Sequence, residues 1–374
     1  MLKTKIYVIH SNSKIESLYT LFPLLISKYS SLVKFLNADS KEAREVEGEC
    51  VILIRVFKGN KQFADEDQKK RDYITDFRKR FNRVVMLDDG AGSDSLHYEY
   101  MELVDLYYKG KILKDRSCYL KPMYGRQIFT NYYNEKFGVI DEKVKWREQP
   151  GDPSVLKKLR VSWNLGYGLY PMPGVNLTRL AKSVSGLGLS KVLRPWYAYC
   201  YKRMLGKLNQ PIDYQKRLKK VHARFSYNSL PNTIGYQRKI LVEKCMTNGN
   251  AITGKIHPKA YNSELGRMAA VLSPFGWGEV CFRDFEAIVN GCLLIKPDMA
   301  HVETWPNIYK NAKTYIPIDW DGSNVEEIID HVSNNIAAYS GIIETARKEY
   351  ATALQAIDDK ILDFLEEATG GKVG

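Results

Sequence analysis

Short apolar, β-branched runs alternate with longer stretches of helical spacing along most of the chain. The runs at 5–9, 50–57, 83–87, 104–108 and 159–163 predict strands, and 65–81 predicts a helix between two of them. A second alternating series opens at 220–227 and continues through 251–256, 271–274, 292–295 and 314–318. The stretch 325–368 is helical by pattern, with apolar positions at Ile328, Ile329, Val332, Ile336, Ile342, Ile343 and Leu354. Strands separated by helices predict an α/β fold with largely parallel sheets. Two such series predict two Rossmann-like domains facing across a cleft. The boundaries follow: 1–165 for the first domain, 166–215 for a Gly-, Pro- and Tyr-bearing crossing with a basic helix, 216–350 for the second domain, and 351–374 for a terminal helix and tail. Ligands of open α/β sheets bind beyond the carboxyl ends of the strands, so motifs just after strands have the first claim to chemistry.

The length of 374 residues suits two domains. No uninterrupted apolar run approaches the ~18 residues of a membrane span. The opening MLKTKIYVIHSNSK has a short apolar run and no small-residue cleavage site, so it reads as a first strand and predicts a cytoplasmic protein. Six scattered cysteines without a CxxC pair predict buried reduced thiols, not disulfides or a zinc site.

A net charge of +13 admits three kinds of anion: nucleic acid, a membrane surface or a polyphosphate ligand. Lys202, Arg203, Lys207, Lys216, Arg217, Lys219 and Lys220 crowd a segment that also holds Trp196, Tyr197, Tyr199 and Tyr201. Such a segment fits an anionic headgroup layer at the inner face of the cell membrane, and equally a solvated face between domains. Nucleic acid is disfavoured as a partner, because no RNP, KH or zinc-finger pattern is present.

The most informative stretch is 272–306, LSPFGWGEVCFRDFEAIVNGCLLIKPDMAHVETWP. It reads as a short strand, a loop with Gly276, Gly278 and Glu279, a helix carrying Arg283, Asp284 and Glu286, and a buried strand ending at Lys296. A loop that opens a helix offers backbone N–H groups and a positive dipole end to an anion. Acidic residues beside it can accept from ribose hydroxyls, and Arg283 can pair a phosphate bidentately. The alternative is a surface Glu–Arg pair on an ordinary helix.

These residues carry a resemblance. The run SPFGWGEVCFRDFEAIVNGCLLIKPDM, followed by HVETWPNIY and the helical tail, resembles the C-terminal nucleotide-sugar domain of bacterial GT-B glycosyltransferases. The likeness is closest to group-1-like enzymes of surface polysaccharide synthesis and more distant to exostosin-like domains. It covers roughly 220–350 and rests on the Gly-rich loop, the R-x-x-E-A helix and the G-C-x-x-I strand. It implies that Glu286 holds the donor ribose, while the loop amides and Glu279 lie near the phosphates and the transferred sugar. It also implies no essential metal. Glu279 and Glu286 stand one residue closer than the E-x7-E pair of the best-known retaining enzymes, so stereochemistry stays open.

Four further motifs follow predicted strands. In HARFSYNSLPNTIGYQRK, Arg224 ends a strand and Arg238 and Lys239 lie in the next helix, where they can neutralise a departing diphosphate in place of a metal. In KIHPKAY, His257 can contact a nucleotide phosphate or base. In VVMLDDGAGSD, Asp88 and Asp89 can serve as general base for an acceptor hydroxyl, with ordinary turn chemistry as the alternative. Joining Asp94 to them as a metal site is a weaker reading. His10, His301 and Glu303 are minor strand-end candidates. The pairing of D-D-G with H-P also resembles transferases that use CMP-sialic acid.

The expectation is therefore a glycosyltransferase that uses a nucleotide sugar and a glycan or lipid-linked glycan acceptor in cell-surface polysaccharide synthesis, with no bound cofactor. The alternatives are a CMP-sugar transferase and a non-catalytic nucleotide- or carbohydrate-binding protein.

Overall fold

The computed structural model describes residues 6–11, 15–57, 66–125, 127–169, 189–228 and 230–373. Its first half contains β1 (Ile6–His10), β2 (Val33–Asn37), β3 (Gly48–Ile54), β4 (Phe81–Asp88), β5 (Leu106–Lys109), β6 (Lys111–Leu113) and β7 (Leu159–Val161). All but β6 form one parallel sheet in the order β2-β1-β3-β4-β5-β7. The central strands are apolar along their length, as in CVILI of β3 and VVML of β4, because helices cover both faces.

The second half contains β8 (Leu218–His222), β9 (Ala251–Ile252), β10 (Met268–Leu272), β11 (Leu293–Pro297), β12 (Val302–Thr304) and β13 (Ile316–Ile318). A second parallel sheet runs β13-β11-β10-β8-β9. The chain thus has two parallel sheets in series, each interleaved with helices, as the alternation along the sequence predicted.

Two features tie the domains together. Strands β6 and β12 form an antiparallel ribbon between them, with Leu113 opposite Val302 and Lys111 opposite Thr304. After helix Ser340–Gln355, the terminal helix Ile357–Thr369 returns to the first domain and packs on β3 and β4. There Phe364 meets Tyr108 and Trp163 edge-on at 4.7 and 5.1 Å.

The basic helix Leu189–Leu208 lies against helices Ile15–Ile26 and Ser340–Gln355. Tyr197 is wholly buried and donates to the Leu18 carbonyl at 2.6 Å. Trp196 is half-buried, and Tyr201 donates to the Leu354 carbonyl at 3.4 Å, which leaves Tyr199 as the exposed ring. Much of the aromatic content of this helix is therefore spent on internal packing. The stretch 170–188 of the expected crossing lies outside the described residues. All six cysteines are free, and Cys50, Cys245 and Cys292 are buried. Among the described residues, no helix is long and apolar enough to cross a membrane.

Candidate active site

The carboxyl edges of the two sheets meet through the loops that leave β4 and β10. Glu279 accepts from Ser93 twice, from the backbone N–H at 3.0 Å and from the hydroxyl at 2.5 Å. The Ser93 carbonyl in turn accepts from Tyr119 at 2.8 Å. Gly278 lies so close to the opposite loop that a Cβ there would stand 1.7 Å from the Ala91 carbonyl oxygen. Gln127 completes the junction by donating to the Trp277 carbonyl and the Ser95 hydroxyl, each at 3.1 Å. Glu279 is wholly buried, with His301 Nε2 3.7 Å from its Oε1. Burial pushes this carboxyl up, but His301 and the Ser93 bonds outweigh burial and hold it below its ordinary value.

The two aspartates at the end of β4 are each held by a cation. Asp88 Oδ2 accepts from Lys109 Nζ at 2.5 Å and Tyr107 at 2.8 Å, and Oδ1 accepts from the Gly90 N–H at 2.7 Å. Burial opposes its ionisation, yet Lys109 prevails and keeps the carboxyl well below the usual range. Asp89 pairs with Arg55 Nε at 2.5 Å. Both are thus carboxylates anchored by a cation, and Asp88 is poorly suited to taking up a proton.

Asp94, six residues past Asp88, is different. It is wholly buried, and its Oδ2 accepts from Arg147 Nη1 at 2.9 Å while Oδ1 has no hydrogen bond. Burial, followed by the nearby Glu279 carboxylate, pushes Asp94 up to about 8 in spite of Arg147. Asp88, Asp89 and Asp94 thus pair with three separate cations instead of converging on one point. Among the described residues, no group of His, Cys, Asp and Glu gathers as a metal site.

On the second domain, helix Phe282–Val289 is pinned at its start by Asp284. That carboxylate accepts from Ser273 Oγ at 2.5 Å, the Cys281 N–H at 2.9 Å, Tyr309 at 2.6 Å and Lys296 Nζ at 3.1 Å. Lys296 is wholly buried beside Asp284 at the start of this helix. Glu286 is buried too; its Oε2 accepts from Tyr261 at 2.9 Å and its Oε1 has no hydrogen bond. Burial raises this carboxyl, against the pull of the neighbouring Arg283.

Arg283 Nη2 donates to the Arg224 carbonyl at 3.0 Å, and its guanidinium lies 5.7 Å over the Phe225 ring. Arg238 donates to the Phe275 carbonyl at 2.6 Å and the Ser226 carbonyl at 2.9 Å, and its Nη2 would be 3.0 Å from a Cβ on Gly276. Arg238 and Arg283 therefore brace the loop after β8 and sit beside the Gly-rich loop. The Arg224 guanidinium itself turns away to a two-point pair with Glu264, with Nη2 to Oε2 at 2.8 Å, and to the Thr253 carbonyl.

The remaining candidates lie apart. Lys239 is exposed, 3.9 Å from Glu243 one turn on. His257 caps helix Pro258–Leu265, its Nδ1 accepting from the Lys259 N–H at 3.3 Å. Glu303 pairs with Arg116 at 2.7 Å across the β6–β12 ribbon. Sequence reasoning missed Ser93, Tyr261 and the singular environment of Asp94. Burial, which separates Asp94 from Asp88, has no signature in a run of D, G and S. Among the described residues, Asp94 Oδ1 and Glu286 Oε1 are the buried carboxylate oxygens left without a hydrogen bond, one from each domain.

No family model and no curated protein matches the chain. Several solved structures are similar over nearly its whole length. Anabaena HepE in complex with UDP-glucose has a TM-score of 0.45 at 9% identity, covering 97% of this chain and 100% of that one. The glycotransferase of kitacinnamycin gives 0.43 at 7% identity, covering 99% and 100%. An α1,3-fucosyltransferase with GDP-fucose gives 0.40 at 11% identity, covering 95% and 90%.

Proposed function

We propose that this chain is a glycosyltransferase that moves a sugar from a nucleotide-sugar donor to a hydroxyl of a glycan or lipid-linked glycan, in the synthesis of a cell-surface polysaccharide. The observation that carries the reading is the pair of buried carboxyls with a spare acceptor oxygen, Asp94 and Glu286, contributed by the two facing domains. An oxygen desolvated without a partner costs stability, so such groups gather where a ligand completes them.

Glu286 accepts from the donor ribose, oriented by Tyr261. Arg238, Arg283 and the opening turn of helix Phe282–Val289 stabilise charge on the leaving diphosphate. Asp94 takes the proton of the acceptor hydroxyl. A base with a raised pKa is better matched to neutral pH than the clamped Asp88. Because Asp94 and Glu279 are wholly buried, acceptor entry requires the two junction loops to part, and their closure excludes water from the reacting centre. His257 caps its own helix and Asp88 is locked by Lys109, so nothing in the geometry favours the CMP-sugar alternative.

A thermal-shift screen of UDP, GDP, CMP and their sugars tests the reading. The expected result is stabilisation by one nucleotide class, together with slow donor hydrolysis or transfer. Stabilisation by no nucleotide overturns the proposal. Nucleotide binding with neither hydrolysis nor transfer points instead to a non-catalytic binding protein.

A further inference from the structure

Five exposed large apolar side chains fall in one stretch of the first domain: Leu120 at 43%, Phe137 at 39%, Ile140 at 61%, Val144 at 56% and Trp146 at 61%. The backbone beneath them is well held. Residues 123–125 run antiparallel to 145–147, with the Gly125 N–H donating to the Lys145 carbonyl at 2.7 Å and the Arg147 N–H to the Met123 carbonyl at 2.9 Å. Tyr124 meets Trp146 edge-on at 5.8 Å. Val144 and Trp146 are two apart on an extended chain and so leave it on the same side.

Lysines interleave with these residues: Lys121, Lys143 and Lys145 are all exposed. Within 140–148 the exposed acids are Glu142 and Glu148, since Asp141 turns inward to Thr233 Oγ1 at 2.8 Å, against Lys121, Lys143 and Lys145. A fixed surface of this kind has an occupant to be assigned. The core of a protein–protein interface is depleted in lysine, whereas here Lys143 and Lys145 flank Val144 directly. A bilayer surface accepts this pattern: indole and aliphatic groups enter the headgroup–acyl boundary while lysine stems lie along it and their ammonium groups meet anionic headgroups.

We infer that the strip formed by Leu120, Ile140, Val144 and Trp146 with Lys121, Lys143 and Lys145 docks this protein on an anionic lipid bilayer. The same stretch reaches the junction of the two loops through Arg147 on Asp94 and Gln127 on the Trp277 carbonyl, so the docked surface borders that junction. The 189–208 helix keeps Tyr199, Lys202, Arg203 and Lys207 exposed but uses Trp196 and Tyr197 in packing. The inference does not rest on the glycosyl-transfer reading.

Co-sedimentation of the full chain tests it, using vesicles of equal parts phosphatidylcholine and phosphatidylglycerol, and vesicles of phosphatidylcholine alone. The protein is expected to bind the mixed vesicles and to bind less at high salt. The triple variant Ile140→Ser, Val144→Ser, Trp146→Ser is expected to melt like the parent and to bind roughly tenfold or more weakly. The pair Lys143→Gln, Lys145→Gln is expected to lose the preference for phosphatidylglycerol. Absence of vesicle binding by the parent, or unchanged binding by the triple variant, overturns the inference. So does a parent dimer that the triple variant converts to monomer without any vesicle binding, which assigns the strip to a second copy.

Discussion

Glu279 and Ser93 lie 186 residues apart on different domains, yet the carboxylate accepts both the backbone N–H and the hydroxyl of the serine in a site closed to solvent. This contact joins the loops that leave β4 and β10, and it fixes how the two carboxyl edges meet. Replacing Ser93 with Ala leaves a buried carboxylate short of one donor, at a cost of about 1.5–3 kcal/mol for a hydrogen bond to a charged group. Urea unfolding of Ser93→Ala against the parent measures it, and a difference within error would show that the contact contributes little.

Asp94 makes stability depend on pH. Its carboxyl is pushed up to about 8 in the fold, against about 3.9 in an unfolded chain. The folded state therefore binds the proton more tightly. The stabilisation is complete below the unfolded value and is lost as pH rises through the folded one. Asp94→Asn carries no such proton, so the stability difference between parent and variant should change between about pH 4 and 8, by at most about 1.4 kcal/mol per pH unit. Denaturant titrations across that window check it; a constant difference would count against the raised carboxyl.

Glu286→Gln should weaken binding of the nucleotide identified in the screen roughly ten- to hundredfold, as expected for losing a hydrogen bond to a charged group. Tyr261→Phe removes the donor that orients Glu286 and should give a smaller loss. Calorimetric titration separates the two. Equal affinity in parent and Glu286→Gln would remove Glu286 from the donor site.

Gly278→Ala would place a Cβ 1.7 Å from the Ala91 carbonyl oxygen, so the two loops must separate. Strain of this kind costs about 1–3 kcal/mol. The control is Gly206→Ala in helix Leu189–Leu208, where an added Cβ meets nothing within 4 Å. That change should instead stabilise by about 0.5–1 kcal/mol. Chemical denaturation of both variants provides the measurement.

Lys296→Met breaks the buried pair with Asp284 and should destabilise by about 3–5 kcal/mol. If Lys296 touched the donor instead, the variant would keep its stability and lose nucleotide affinity. Melting curves with and without nucleotide tell these outcomes apart.

Most of both sheets was legible from the chain, because central parallel strands such as CVILI and VVML are apolar runs whose local composition reports their burial. Strand β2 escaped because VKFLN buries only part of its length at the sheet edge. The β6–β12 ribbon escaped because three-residue strands hold too little pattern and pair only across domains. The 272–306 stretch announced its loop, helix and strand, and those elements are present at Phe282–Val289 and Leu293–Pro297.

Sequence by itself determined the two α/β series and the presence of acidic and basic groups after their strands, since periodicity and turn chemistry are local. Only tertiary structure decided how those groups are spent. Asp88, Asp89 and Asp94 look alike in V-M-L-D-D-G-A-G-S-D, but Lys109, Arg55 and Arg147 reach them from elsewhere in the chain, and only Asp94 is left with a free oxygen. Lys239 and Lys296 are both lysines near the second sheet, yet one is solvated and the other is buried beside Asp284 at the start of a helix. Burial and long-range pairing set the energy of a charge, and neither is written in its neighbours along the chain.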